Sequence, residues 1–303
     1  MRSPFLEQSQ LMLRVLPHVA SEDCFALKGG TAINFFVRDM PRLSVDIDLT
    51  YLPIEAREES LTSIGQALDR IKPRILKTVP GTAVREGRFE GRTSKLFIRG
   101  AEGEIKIEPN MVIRGAVHLP QERDLCPSAK ERFAIAVRIK VLDNADLYGG
   151  KLCAALDRQH PRDLFDVKVL LDNEGITEEI RKTFLVYLIS HDRPMHEVIQ
   201  PTRKDVKAEF DADFQGMPAQ PVGYETLLDA REALIKRLHA DMTANEKKFL
   251  ISVKEGRPEW ILLGLSGIER MPAVQWKLRN IAKMVPKKRE EHLARLKKNL
   301  GFK

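Results

Sequence analysis

Apolar positions along this chain change their rhythm near residue 140, from a mixture of alternating and helical spacings to helical spacing alone. Leu6, Leu11, Leu13, Val15 and Leu16 recur at helical intervals, which predicts a helix over Phe5 to Ala20 with Pro17 near its end. Phe25-Ala26-Leu27 reads as a short strand entering a Gly29-Gly30 turn, and Thr31 to Val37 as the helix that follows. Val45 to Tyr51 alternates as a strand, while Leu61, Ile64, Leu68 and Ile71 place a helix over Arg57 to Leu76. Ser94 to Arg99 and Glu104 to Asn110 read as antiparallel strands around the turn Gly100-Ala101-Glu102-Gly103. Together these elements predict an α+β fold with a mixed sheet over residues 1–140.

A mostly helical half is expected over residues 141–303. Helices are predicted over Asp143 to Arg158, Pro161 to Asn173, Glu178 to Ser190, Tyr224 to Thr243, Asn245 to Lys254 and Pro272 to Leu300. The proline- and charge-rich stretch from Arg193 to Pro221 reads as a loop crossing between helical layers. There are no internal repeats and no low-complexity segment.

Composition narrows the class. With 303 residues and 43% hydrophobic content the chain can bury a sizeable core. No apolar run reaches the length that spans a bilayer, and the first residues lack the apolar core of a signal peptide, so a cytoplasmic location without a membrane partner is expected. Cys24, Cys126 and Cys153 are odd in number and scattered, which suits a reduced compartment. The net charge of +7 favours polyanions. Much of it sits near the end, in Lys277, Arg279, Lys283, Lys287, Lys288, Arg289, Arg295, Lys297, Lys298 and Lys303, against Glu290 and Glu291. Such a segment is either a self-solvating helix or a contact for an RNA backbone.

The candidate chemistry starts at Asp46 and Asp48. One apolar residue separates them, so on a strand they share a face and can hold a divalent cation together. Upstream, Gly29 and Gly30 let the backbone approach a phosphate, and the helix that follows turns its positive end toward it. The combination points to metal-assisted phosphoryl chemistry. Further on, Lys106, Glu108 and Asn110 share a strand face, where Glu108 could pair with Lys106 or, across the hairpin, with Lys95 or Arg99. Lys151 and Arg158 lie two helical turns apart and project from one face along which a triphosphate could lie. Asp163 and Asp166 are neighbours on the next helix. Arg158, Arg162, Asp163 and Asp166 could instead form an ion-pair network on the helix surface. No histidine pair has metal-ligand spacing, and there is no phosphate loop of the Gly-x-x-x-x-Gly-Lys-Thr kind.

Read as a set, Lys28-Gly29-Gly30-Thr31-Ala32-Ile33-Asn34, Arg42-Leu43-Ser44-Val45-Asp46-Ile47-Asp48-Leu49 and Lys106-Ile107-Glu108-Pro109-Asn110 resemble the nucleotidyltransferase superfamily related to DNA polymerase β. More closely, and including Lys151, Arg158 and Arg162-Asp163-Leu164-Phe165-Asp166, they resemble the AbiEii/AbiGii family of type IV toxin–antitoxin and abortive-infection systems. The resemblance implies a polymerase-β-like core. It implies catalytic roles for Asp46, Asp48, Glu108, Lys151 and Asp166, with Asp46 and Asp48 as ligands of Mg²⁺ or Mn²⁺. Nucleotide binding is implied for Gly29, Gly30, Thr31, Ser44, Arg158 and Asp163. The implied activity is transfer from a nucleoside triphosphate to RNA, notably the 3′ end of tRNA, which would inhibit translation and growth, with a separate antitoxin protein as partner. Other readings of the residues are a transferase acting on a protein or small molecule, and a nucleotide-binding regulator without catalysis.

Overall fold

Leu27, Ile47, Leu49 and Ile107 are fully buried, and they meet one another because β1 (Phe25–Lys28), β2 (Ile47–Tyr51) and β5 (Gly103–Pro109) lie side by side at the centre of one sheet. A computed structural model describes residues 4–302. Contacts group into two compact units, Met1–Asp143 with Phe214–Pro221, and Asn144–Asp213 with Val222–Lys303.

In the first unit the sheet has seven strands in the order β3-β4-β5-β2-β1-β7-β6, with β3 (Ala83–Phe89), β4 (Arg92–Gly100), β6 (Gln121–Asp124) and β7 (Arg138–Val141) completing it. It is mixed, as expected: β2 runs parallel to β5 and β1 parallel to β7, while the other neighbours are antiparallel. Leu27 pairs with Leu49 and Ile47 with Ile107, so the apolar members of the central strands stack on one face. The intervening residues form the other face, where Asp48 pairs with Lys28 on one side and Glu108 on the other. Helix α1 (Pro4–Ala20) packs on β5 and β7 through a stripe that includes Leu11, Val15 and Leu16, and α3 (Arg57–Thr78) packs on β4 through one that includes Leu61, Leu68 and Ile71.

Three differences from the sequence expectation have physical causes. β2 begins at Ile47, not Val45, and so Asp46 precedes the ladder; its carbonyl accepts from the Thr31 hydroxyl at 2.5 Å. The helix after β1 begins at Gly29 itself: α2 (Gly29–Ala32) contains both glycines and continues as a π-helical turn over Ile33–Val37. Finally, β3, β6 and helix α4 (Pro127–Phe133) carry no strong period, and β3 and β6 are edge strands whose exposed, charged residues have only one neighbour to satisfy, while β7 alternates but over four residues only.

The second unit is helical: α5 (Asn144–Asp157), α6 (Pro161–Asp172), α7 (Glu178–Ile189), α8 (Met195–Ile199), α9 (Lys207–Asp213), α10 (Tyr224–Asp241), α11 (Ala244–Glu255), α12 (Pro272–Ala282) and α13 (Pro286–Asn299). Gly149 lets α5 and α7 touch, since a Cβ there would lie 3.0 Å from the Phe184 nitrogen. Tyr148 is fully buried and belongs to the core. The final helix expected over Pro272 to Leu300 is two helices, because Pro286 cannot continue the first and instead opens the second. The expected loop over Arg193 to Pro221 contains α8 and α9, and its Phe214–Pro221 segment belongs to the first unit. There Leu43 N donates to Met217 O and Ala219 N to Pro41 O, each at 2.9 Å.

Candidate active site

Gly29 is where backbone and carboxylate come closest. Its φ is +72°, and a Cβ on it would sit 2.6 Å from Asp48 Oδ2, so any side chain here is strained and would displace the carboxylate. At Gly30 a Cβ would meet Arg42 Nη2 at 2.6 Å and Ser44 Oγ at 3.1 Å. The two glycines therefore make room for the residues of the Arg42–Asp48 segment. Thr31 closes the arrangement, with its hydroxyl 3.0 Å from Ser44 Oγ as well as on the Asp46 carbonyl. Ser44 is fixed from behind by Ser9, whose hydroxyl donates to the Ser44 carbonyl at 3.0 Å. Gly29, Gly30, Thr31, Ser44, Asp46 and Asp48 thus form one continuous patch.

Asp46 and Asp48 are half-buried, and both act on the ammonium of Lys106. Burial disfavours charge on Lys106, yet its hydrogen bond to Glu108 and the fields of Asp46, Glu108 and Asp48 outweigh burial and raise its pKa. Glu108 is held on both oxygens, by Lys95 at 3.0 Å and Lys106 at 2.8 Å. Burial would raise its pKa, but these two ammonium groups lower it. Among the described residues no group of three or more His, Cys, Asp or Glu is gathered as a metal cage. Two carboxylates beside a backbone without side chains do fit Mg²⁺, which takes one or two protein carboxylates and draws its other ligands from water and substrate phosphates.

In the second unit, Lys151 Nζ lies 2.8 Å from Asp163 Oδ1 and 2.9 Å from Asp166 Oδ2. Arg158 Nη2 reaches the other oxygen of Asp163 at 2.8 Å, so Asp163 ties the two cations together. The surface network considered from the sequence is not what forms. The Lys151 side chain is 7% exposed and that of Asp166 is 0%, while Arg158 alone is open to water. Burial opposes ionisation of Asp163, but Lys151 and Arg158 overcome it and hold the carboxyl well below the usual range.

Comparison with known proteins agrees with this geometry. The model of the nucleotidyl transferase AbiEii toxin family, type IV TA system, matches residues 10–280. The chain belongs to the AbiEii family. Among solved structures it is similar to MenT4, a nucleotidyltransferase toxin from Mycobacterium tuberculosis H37Rv, with a TM-score of 0.59 and 17% identity over 97% of this chain and 95% of that one. No curated protein matches the chain. This AbiEii protein is therefore a nucleotidyltransferase toxin of the type IV kind, and the α+β class read from its sequence holds.

Two further residues of the AbiEii motifs, Lys28 and Arg42, border the site. Lys28 stands in register with Asp48, and its place directly before the glycines is the signal that could have marked it. Arg42 is 2% exposed, packed over Gly30, and donates to the Leu43 carbonyl at 2.8 Å. In the basic C-terminal segment, Lys287 and Lys288 are exposed, but Lys277 is buried and donates to the carbonyls of His191 and Arg193 at 2.5 and 2.6 Å. Lys303 lies outside the described residues. No described helix is long and apolar enough to cross a membrane.

Proposed function

We propose that this AbiEii protein transfers nucleotides from a nucleoside triphosphate to an RNA acceptor, the 3′ end of tRNA, with Mg²⁺ or Mn²⁺ held by Asp46 and Asp48, and so inhibits translation and growth. The observation that carries the reading is the Asp48 carboxylate against Gly29 on the sheet face that the core leaves over, with Asp46 acting beside it on the same Lys106 ammonium. When bound, the metal would neutralise the triphosphate and polarise its α-phosphorus. Lys106 adds fixed positive charge beside that position. The acceptor hydroxyl oxygen bonds to the α-phosphorus, the bond to the bridging oxygen breaks, pyrophosphate leaves, and the hydroxyl proton passes to water. Lys151 and Arg158 contact substrate phosphates in this reading, with Asp163 and Asp166 aligning the lysine. The antitoxin implied by the family is a separate chain.

Incubating the purified protein with each labelled nucleoside triphosphate and total RNA tests this directly. Label on tRNA that disappears with EDTA is expected; label on protein, or none, overturns the RNA assignment. Glu108 is proposed as the positioning residue for Lys106 and Lys95, since a carboxylate held by two ammonium groups is a weak base. Glu108→Gln should then keep transfer within about tenfold of the parent, whereas loss of a general base costs about 10² to 10⁴. Initial rates at saturating nucleotide separate the two.

The exposed basic residues of α13 are proposed to contact the RNA backbone. Reversing Lys287, Lys288 and Arg289 together should weaken transfer to RNA and flatten its dependence on salt, by about one unit of log–log slope for each phosphate that is no longer neutralised. Nucleotide affinity without RNA should not change. An unaltered slope would favour a protein or small-molecule acceptor.

A further inference from the structure

Lys254, on the last turn of α11, is 6% exposed and has no carboxylate within 4.0 Å among the described residues. Its ammonium meets only Met284 Sδ at 3.6 Å and His292 Nδ1 at 3.5 Å. Leaving a charged group so enclosed and so poorly paired is costly unless an anion compensates it. Lys254 lines a cavity of about 70 Å³ together with Lys277, Asn280, Met284 and His292. The groups facing this cavity are predominantly cationic. Lys288 and Arg289 act on Lys254 from α13, and Lys254 in turn acts on Lys277. The opposing charges are Asp192 in the lining and Glu197 nearby. Asp192 is 76% exposed and is already engaged by the His191 ring and the Arg193 amide, while Glu197 is engaged by Arg193.

We propose that this cavity in the second unit is a binding site for a phosphate group, with Lys254 as its central contact and Lys277, His292 and Asn280 around it. The volume argues for the same ligand: it holds several waters or one tetrahedral oxyanion, and it is far below the several hundred Å³ of a site for a nucleoside-sized molecule. Burial and the neighbouring cations lower the pKa of both lysines, the condition an incoming oxyanion relieves. This inference does not depend on the nucleotidyltransferase reading. Either inorganic phosphate or a phosphodiester of an RNA backbone supplies the required chemistry.

The test is thermal unfolding of the full chain at neutral pH and constant ionic strength as sodium phosphate replaces sodium chloride, for the parent and for Lys254→Met. The parent should rise in Tm by several degrees along a saturating curve, as binding to the folded state requires. Lys254→Met should start higher, because it removes an uncompensated buried charge, and should show no saturable rise. Equal rises in both proteins would mark a general salt effect and overturn the proposal; so would a parent without a saturable rise, however the variant behaves. With saturation established, anisotropy of a short labelled RNA identifies the source. A several-fold loss of RNA affinity in Lys254→Met assigns the site to a backbone phosphodiester, and equal affinity assigns it to the free ion.

Discussion

Asp46→Ala and Asp48→Ala should each abolish nucleotidyl transfer, by at least about 10³-fold, and leave the fold intact. The magnitude follows from the several kcal/mol of transition-state charge stabilisation that a bound cation supplies, at about 1.4 kcal/mol for each factor of ten. The preserved fold follows from the surroundings. Both residues are half-buried, Asp46 just before β2 and Asp48 on its face opposite Leu49, and the two carboxylates repel each other, so deletion of one removes repulsion along with its attractive interactions. The neighbouring Ile47 and Leu49, fully enclosed, hold β2 in place without either aspartate. Single-turnover transfer and thermal unfolding measured on the same preparations check both halves. Activity within a few-fold of the parent in either variant would remove the metal assignment. A large loss of Tm would show that the lost activity came from unfolding.

The glycine-and-aspartate segment was the most legible part of the chain because its chemistry is local. Gly29, Gly30, Ser44, Asp46 and Asp48 fall within twenty residues, and one turn with one strand suffices to bring them together. The central strands were legible because their apolar residues have a core to fill. Edge strands β3 and β6 were not, since Arg85, Glu86 and Arg88 in the first, and Gln121, Glu122 and Asp124 in the second, have no such task, and the pairing of β6 is decided by β7, beyond the reach of a local pattern. The same limit applies in part to Glu108. The sequence offers Lys106, Lys95 and Arg99 as its partners, and the register of the β4–β5 hairpin selects Lys95 alongside Lys106. It also applies to Phe214–Pro221, which supports Pro41–Leu43 across a separation no local pattern reports. For Lys151, spacing placed it on one face with Arg158 but did not give its partners Asp163 and Asp166, nor show that they are enclosed. That enclosure turns a contact of little consequence into one of the largest expected effects.

Lys151→Ala should therefore cost stability as well as transfer. The substitution leaves Asp163 and Asp166 enclosed without the ammonium they share, while the exposed Arg158 stays paired to Asp163. Removing one partner of a buried pair typically costs about 3 to 5 kcal/mol, which corresponds to a fall in Tm on the order of 10 °C. The pH dependence should change sign as well. In the parent, the Asp163 carboxyl is held below its unfolded value, so its stabilising contribution is complete above about pH 4 and is lost only as pH falls through the lower, folded value. In Lys151→Ala the two enclosed carboxylates lose their shared cation and protonation relieves the excess negative charge, so stability should increase as pH falls from about 7 to 5. A second variant separates folding from function. Lys151→Met combined with Asp163→Asn and Asp166→Asn removes the buried charges together, and it should recover most of the lost Tm, as replacement of a buried ion pair by neutral groups commonly does. Transfer should stay at least about 10²-fold down if Lys151 contacts substrate phosphate, because a positioned charge contributes in the transition state whatever the stability of the helix that carries it. Recovery of transfer with Tm in the triple variant would make the cluster a structural clamp and leave the phosphate contacts to the first unit. A stability loss under about 1 kcal/mol in Lys151→Ala would contradict the enclosure itself.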